Sequence, residues 1–215
     1  MLASGVLPIL DHLAVAVFAV TGALVASRKQ MDVVAFVWLA TVTGIGGGTV
    51  RDVLLGRLPV FWVEQPAYVV VCVATGVVVY FTAHLPQSRY RWILWLDAIG
   101  LALVSVTGAA KGLDAGAGAV VATVMGVVTA TVGGVLRDIL GHEPSIILRK
   151  EIYVTAALAG ALAFVSAVGI GAGRPLAALI GFLVGFIIRG LAIARGWSLP
   201  TYRARPGRPP GELGL

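Results

Sequence analysis

The chain is 215 residues long, 59% hydrophobic and only 12% charged, with a mean hydropathy of +0.97 and a net charge of +6. A soluble domain carries about 25% charged residues, so this composition excludes an ordinary soluble enzyme and leaves a membrane protein. The single cysteine, Cys72, excludes an intrachain disulfide and a cysteine-only metal site.

A helix needs about 20 apolar residues to cross a bilayer core. Seven stretches qualify: Leu7–Ser27, Val33–Val50, Pro66–Leu85, Trp92–Ala110, Ala115–Val135, Ile152–Ile170 and Pro175–Ala194. None alternates polar with apolar residues, so a transmembrane barrel is excluded. The first stretch lacks a basic leader and a cleavage site and reads as a retained span. The second ends in TGIGGGTVRD, residues 43–52, which sets Gly44, Gly46, Gly47 and Gly48 beside Arg51 and Asp52. The third holds Cys72, a small buried or lipid-facing residue, and the fourth opens on Asp97. The fifth carries Gly133 and Gly134 before Arg137 and Asp138. The seventh holds a Gly181-x-x-x-Gly185 spacing, which suits helix packing, and Arg189, placed to snorkel toward the interface. Residues 195–215 form a basic Pro- and Gly-rich tail expected to be disordered.

The basic residues set an orientation. With the N-terminus outside, eleven of them fall in cytoplasmic segments (Arg28, Lys29, Arg89, Arg91, Arg137, Arg149, Lys150, Arg195, Arg203, Arg205, Arg208) and four outside (Arg51, Arg57, Lys111, Arg174). This bias points to N-outside and C-inside topology. Clusters of this kind between apolar runs are topology signals and not a nucleic-acid footprint.

The chain repeats itself. DHLAVAVFAVTGA from Asp11 aligns with DAIGLALVSVTGA from Asp97, and TGIGGGTVRDVLLGRLP from Thr43 with TATVGGVLRDILGHEP from Thr129. The offset is 86 residues as far as Asp52 and Asp138. One deletion then pairs Gly56 with Gly141, Pro59 with Pro144 and Tyr68 with Tyr153. Three spans per copy is an odd number, so the second copy enters the membrane inverted relative to the first. The expected organisation is a three-helix repeat over 1–85, an inverted one over 86–172 and a seventh helix over 173–194. The fold class is an all-α polytopic membrane protein.

Glycine costs about 1 kcal/mol against alanine in a helix interior. The paired glycine stretches are therefore expected to kink or unwind the second and fifth spans, exposing carbonyls to a passing cation. Close helix packing is the alternative. A phosphate-binding loop is excluded by the lack of a preceding strand. Arg51, Asp52, Arg137 and Asp138 are costly in a bilayer and should face protein or water. Neighbours on a helix point about 100° apart, so partners on other helices are expected, with Asp11, Asp97 or the other copy's pair as candidates. Alternatively the two pairs mark span ends. Thr21, Thr43, Thr49, Ser105, Thr107, Thr129 and Thr131 either line a path or bond back to their own helices. His12, His84 and His142 have no metal-ligand spacing, and no catalytic set is present.

GIGGGTVRDVLLGRLPVFW, its partner VGGVLRDILGHEP and the seven-span plan resemble the prokaryotic trimeric intracellular cation channels. That bacterial family is also labelled as a glycine transporter domain and as UPF0126-type membrane proteins. The resemblance covers about Leu7 to Ala194. It implies a homotrimer in the inner membrane, in contact with lipid, with one pore per subunit between the repeats. The pore passes monovalent cations, K⁺ or Na⁺, and needs no cofactor or metal. Carried over by motif, the kinks lie at Gly46, Gly47, Gly48, Gly133 and Gly134, flanked by the Arg–Asp pairs. The basic-acidic motif of the animal members has no clear counterpart, and Val132 replaces the glycine found at Gly46. A pore lined by unpaired arginine repels K⁺, so the channel reading requires Arg51 and Arg137 to be neutralised by carboxylates or to act as gates. A secondary transporter of a small amino acid such as glycine fits inverted repeats equally well.

Overall fold

The computed structural model describes residues 3–85, 88–143 and 152–200, with side chains from residue 9 onward. The described residues form α1 (Ala3–Arg28), α2 (Val33–Leu54), the one-turn α3 (Phe61–Glu64), α4 (Ala67–Thr82), α5 (Arg89–Asp114), α6 (Ala119–Leu140), α7 (Val154–Gly169) and α8 (Arg174–Arg195). Five of them, α1, α2, α5, α6 and α8, are long and apolar enough to cross a membrane, and α4 and α7 are apolar helices of 16 residues. The tail from 201, with Arg203, Arg205 and Arg208, lies outside the described residues, as do Pro144, Arg149 and Lys150.

Local signals start the helices. Asp32 caps α2 by accepting from the Ala35 N–H at 2.8 Å, and Ser88 caps α5 by accepting from Arg91. Several ends differ from the expected spans. The fifth span starts at Ala119, because Gly116 takes a left-handed φ of 78° in the preceding turn. The second and fifth spans continue past their Arg–Asp pairs to Leu54 and Leu140, so both pairs are helical and lie in the last turns of α2 and α6. Arg51, Lys111 and Arg137 are thus helical residues, as are Arg28, Arg89, Arg91, Arg174 and Arg195 at helix ends.

α1 packs on α2 and α4 as α5 packs on α6 and α7, α2 crosses α6, and α8 lies on α5 and α7. Corresponding turns share their hydrogen bonds. Leu55, Gly56 and Arg57 donate N–H to Arg51, Val53 and Asp52, and Gly141, His142 and Glu143 donate to Arg137, Ile139 and Asp138. Gly56 and His142 both take positive φ, at 65° and 49°. Gly56 therefore corresponds to His142 and not to Gly141. The 86-residue register continues to Arg57 and Glu143, and the deletion falls beyond them. A similar pairing joins Gln30 (φ 53°) to Gly116.

The glycine stretches do not unwind. α2 and α6 are unbroken helices through Gly44–Gly48 and Gly133–Gly134. What the glycines provide is proximity. A Cβ on Gly47 would collide with the Thr129 carbonyl of α6, and a Cβ on Gly133 would meet the Thr43 carbonyl of α2 at 2.6 Å. Thr43 and Thr129, like Gly47 and Gly133, are 86 residues apart, so the crossing is reciprocal. Gly22 and Gly108 repeat the pattern against Thr43 and Thr129 within each helix pair. Gly46, by contrast, faces only the flexible tip of Leu136. On α8, Gly181 and Gly185 pack on Gly160 of α7.

Candidate functional site

The two Arg–Asp pairs sit at equivalent positions on the crossing helices, both buried. Arg51 is 1% exposed and Arg137 0%. Contrary to the expectation from helix geometry, each arginine does reach its own neighbour. Arg51 Nε donates to Asp52 Oδ1 at 2.8 Å, and Arg137 Nε to Asp138 Oδ1 at 3.0 Å. The arginine side chain is long enough for its guanidinium to curl back across the angle between adjacent Cβ directions. A buried charge leaves little alternative.

Among the described residues, the expected partner on another helix is seen for one copy only. Arg137 NH1 donates to Asp97 Oδ1 of α5 at 2.7 Å and to Thr21 Oγ1 of α1 at 3.1 Å. The counterpart of Asp97, Asp11, is instead held by Lys111 from the last turn of α5 and by the Tyr68 hydroxyl at 2.8 Å. Arg51 lies over the Phe61 ring at 5.5 Å, and the Phe61 N–H donates to Asp52 Oδ2 at 2.9 Å, so α3 folds back over the end of α2. Lys111, Tyr68, Phe61 and Tyr153 are the residues that sequence reasoning missed. The in-register tyrosines were a signal for two of them. Lys111 was hidden by its apparent position in a loop.

Arg189 does not snorkel. It is 1% exposed, donates to the Ile152 carbonyl at 3.3 Å and lies over the Tyr153 ring at 5.2 Å. It sits on the same inward face of α8 as Gly181 and Gly185. Among the described residues, Lys111 pairs with Asp11 and Arg51 with Asp52, and Arg137 pairs with Asp97 and Asp138.

Most of the hydroxyls bond back to their own helix. Thr43 donates to Leu39, Thr49 to Ile45, Thr129 to Met125, Thr131 to Val127, Thr21 to Phe18 and Ser105 to Ala102. Thr49 also accepts from Trp62 Nε1 at 3.0 Å. Thr107, the counterpart of Thr21, is 3% exposed and its hydroxyl has no partner. Cys72 is buried against Gly44. His12 stacks on Tyr68 with ring centroids 4.0 Å apart. Among the described residues no three His, Cys, Asp or Glu side chains cluster as metal ligands.

A cavity of about 580 Å³ descends from the end of the bundle that holds Arg57, Lys111 and Arg174. Its walls carry four cations (Arg51, Arg57, Lys111, Arg174) and four carboxylates (Asp11, Asp52, Glu64, Asp114). Arg174 pairs with Asp114 at 2.6 Å. A void of about 20 Å³ lies against Arg51, Gly44, Gly47, Gly48 and Thr129, at the helix crossing. That is space for about one water molecule.

A family model described as Glycine transporter matches the chain twice, over residues 8–84 and 94–169. A UPF0126 membrane protein of Vibrio cholerae is 39% identical over 93% of this chain and 84% of its own length. The UPF0126 inner membrane protein YadS of Escherichia coli is 38% identical over 90% of this chain and 94% of its own. Among solved structures, the trimeric intracellular cation channel orthologue of Rhodobacter sphaeroides is 57% identical, with a TM-score of 0.88 over 89% of this chain and 99% of that one. A second structure, described as a TRIC cation channel, is 28% identical with a TM-score of 0.83, over 94% of this chain and all of the other. With this fold, the duplicated match and these relatives, the chain is a multi-pass membrane protein that belongs to the family of UPF0126 proteins and trimeric intracellular cation channels.

Proposed function

We propose that the protein is a homotrimeric, K⁺-permeable channel of the inner membrane, with seven spans, an external N-terminus and one pore in each subunit. The pore runs from the cavity at Arg51, past the α2–α6 crossing, to the Arg137 cluster. α1, α2 and α4 form one repeat and α5, α6 and α7 its inverted twin, a reading supported by the reciprocal Gly47–Thr129 and Gly133–Thr43 contacts. Bending of α2 and α6 at their glycines, without unwinding, widens the crossing.

The observation that carries this reading is the charged cavity at one end of the bundle, which shares Asp11, Arg51 and Phe61 with a water-sized void at the helix crossing. A pore for cations needs its arginines neutralised, and Arg51 has Asp52 at 2.7 Å. Arg137 has both Asp97 and Asp138 within 2.9 Å. Purified protein in planar bilayers is expected to give stepwise K⁺ currents. Saturable uptake of a small amino acid with no unitary conductance would replace the channel with a carrier.

A further inference from the structure

We infer that Glu143, with Arg28 and Lys29, forms an electrostatic latch that closes the Arg137 end of the bundle, and that Arg174 holds the twin of this latch open at the cavity end. The latch bears on function only through the proposed pathway, whose closed end it marks. Its origin is a charge reversal between the repeats. Arg28 and Asp114 end α1 and α5 and lie 86 residues apart, and Arg57 and Glu143 follow α2 and α6 at the same offset. The end of α1 thus offers a cation to a carboxylate beyond α6, and the end of α5 offers a carboxylate to a cation beyond α2.

Among the described residues only the first of these pairs is made. Glu143 Oε1 lies 3.3 Å from Arg28 and 3.5 Å from Lys29, and Lys29 Nζ also donates to the His142 carbonyl at 3.4 Å. Arg28 is further placed over the Tyr90 ring at 5.1 Å. At the cavity end Asp114 is taken at 2.6 Å by Arg174, the first residue of α8. Arg57 and Glu64, which line the same mouth, form no ion pair among the described residues. Because α8 lies outside the repeat, this competition belongs to the cavity end.

Packing follows the same asymmetry. α1 touches α6, and the symmetric approach of α5 to α2 is weaker. A Cβ on Gly141 would lie 2.5 Å from Val25 Cγ1, so the two helix ends under the latch are in tight contact. The equivalent positions at the cavity end hold Leu55 and Lys111, which need more room. The latch is weak by construction. Its cations are 32% and 35% exposed, and exposed pairs shift an equilibrium severalfold and not by orders of magnitude. That strength suits a contact that has to open.

The test measures distances by double electron–electron resonance on the full chain in nanodiscs, with spin-labelled chains diluted by unlabelled ones. Exposed positions related by the repeat serve the two ends: Val34→Cys with Leu140→Cys at the latch, and Leu54→Cys with Val120→Cys at the cavity. Cys72 is buried and leaves labelling to the introduced cysteines. Glu143→Gln removes both ion pairs at once and should raise the population at longer Val34–Leu140 distances about fivefold. Raising KCl from about 0.1 M to about 1 M screens partly exposed pairs and should move the intact latch in the same direction. Arg174→Gln should free Asp114 for Arg57 and shorten the Leu54–Val120 distance. An unchanged Val34–Leu140 distance in folded Glu143→Gln or at high KCl overturns the latch. An unchanged Leu54–Val120 distance in Arg174→Gln overturns the role given to Arg174. If the distances respond while no preparation passes K⁺, the channel reading falls and the latch stands. If K⁺ currents appear while the distances stay fixed, the latch alone falls.

Discussion

At the Arg51 end of the bundle, arginine, lysine and carboxylates surround a cavity. At the Arg137 end the corresponding arginine and aspartates are locked together with 0–3% exposure. The two ends come from the same repeated sequence, so the contrast isolates what a few non-repeated residues do. The position of Asp11 corresponds to that of Asp97, but Lys111 claims Asp11 and leaves Arg51 to its neighbour. The residue at Lys111's equivalent position one repeat earlier, Val25, is apolar, so no lysine from α1 competes for Asp97 and Arg137 takes it. Among the described residues, Lys111 is thus a non-repeated residue that gives the two aspartates different partners.

The largest test of this contrast is deletion of the arginines. Arg137→Met would leave Asp97 and Asp138 buried without their main cation. Breaking a buried pair this way costs about 3–5 kcal/mol. Arg51→Met should cost less, about 1–3 kcal/mol, because Asp52 keeps the Phe61 N–H and the cavity admits water. Thermal unfolding of the two variants in the same detergent measures the difference. Asp97→Asn added to Arg137→Met should restore part of the loss. Equal destabilisation by the two single variants would mean that the clusters are energetically alike despite their geometry.

The crossing helices should show symmetry where the clusters do not. Gly47→Ala and Gly133→Ala each drive a methyl group into a backbone carbonyl of the other helix, which cannot yield as a side-chain tip can. Each should cost about 1–3 kcal/mol, as overpacking does. Gly46→Ala meets only Leu136 Cδ1 and should be nearly neutral. If Gly47→Ala proves stabilising, as alanine in an isolated helix would be, the close α2–α6 approach is wrong.

These residues also show what the sequence disclosed and what it withheld. The helical membrane class and the repeat were legible because hydropathy and in-register polar residues are one-dimensional signals. Asp97 was legible, for the same reason, as one of three candidate partners for the arginines. The role of the glycines was not. Low helix propensity predicts a break, but propensity is a weak term once tertiary packing rewards a close approach, and packing partners are invisible in one chain. The hold of Lys111 on Asp11 was hidden because α5 runs on to Asp114, beyond the apolar stretch that defines the span. The curl of Arg51 onto Asp52 was missed by treating Cβ directions as if they fixed the position of a long side chain.

The smallest expected effect, that of Tyr153→Phe, is also the most discriminating. Tyr68 and Tyr153 occupy matching places in the two repeats, but their hydroxyls fare differently. Tyr68 donates to Asp11, whereas the Tyr153 hydroxyl is buried with no partner, beside an Asp97 whose Oδ2 is also unsatisfied. Tyr68→Phe removes a hydrogen bond to a charged group and should destabilise by about 1.5–3 kcal/mol. Tyr153→Phe removes a hydroxyl that makes no bond, so it should be neutral or slightly stabilising in the same unfolding assay. If Tyr153→Phe instead costs as much as Tyr68→Phe, then Tyr153 does donate to Asp97. The Arg137 cluster would then spend time in the arrangement seen around Asp11, and the contrast between the two ends would be one of populations.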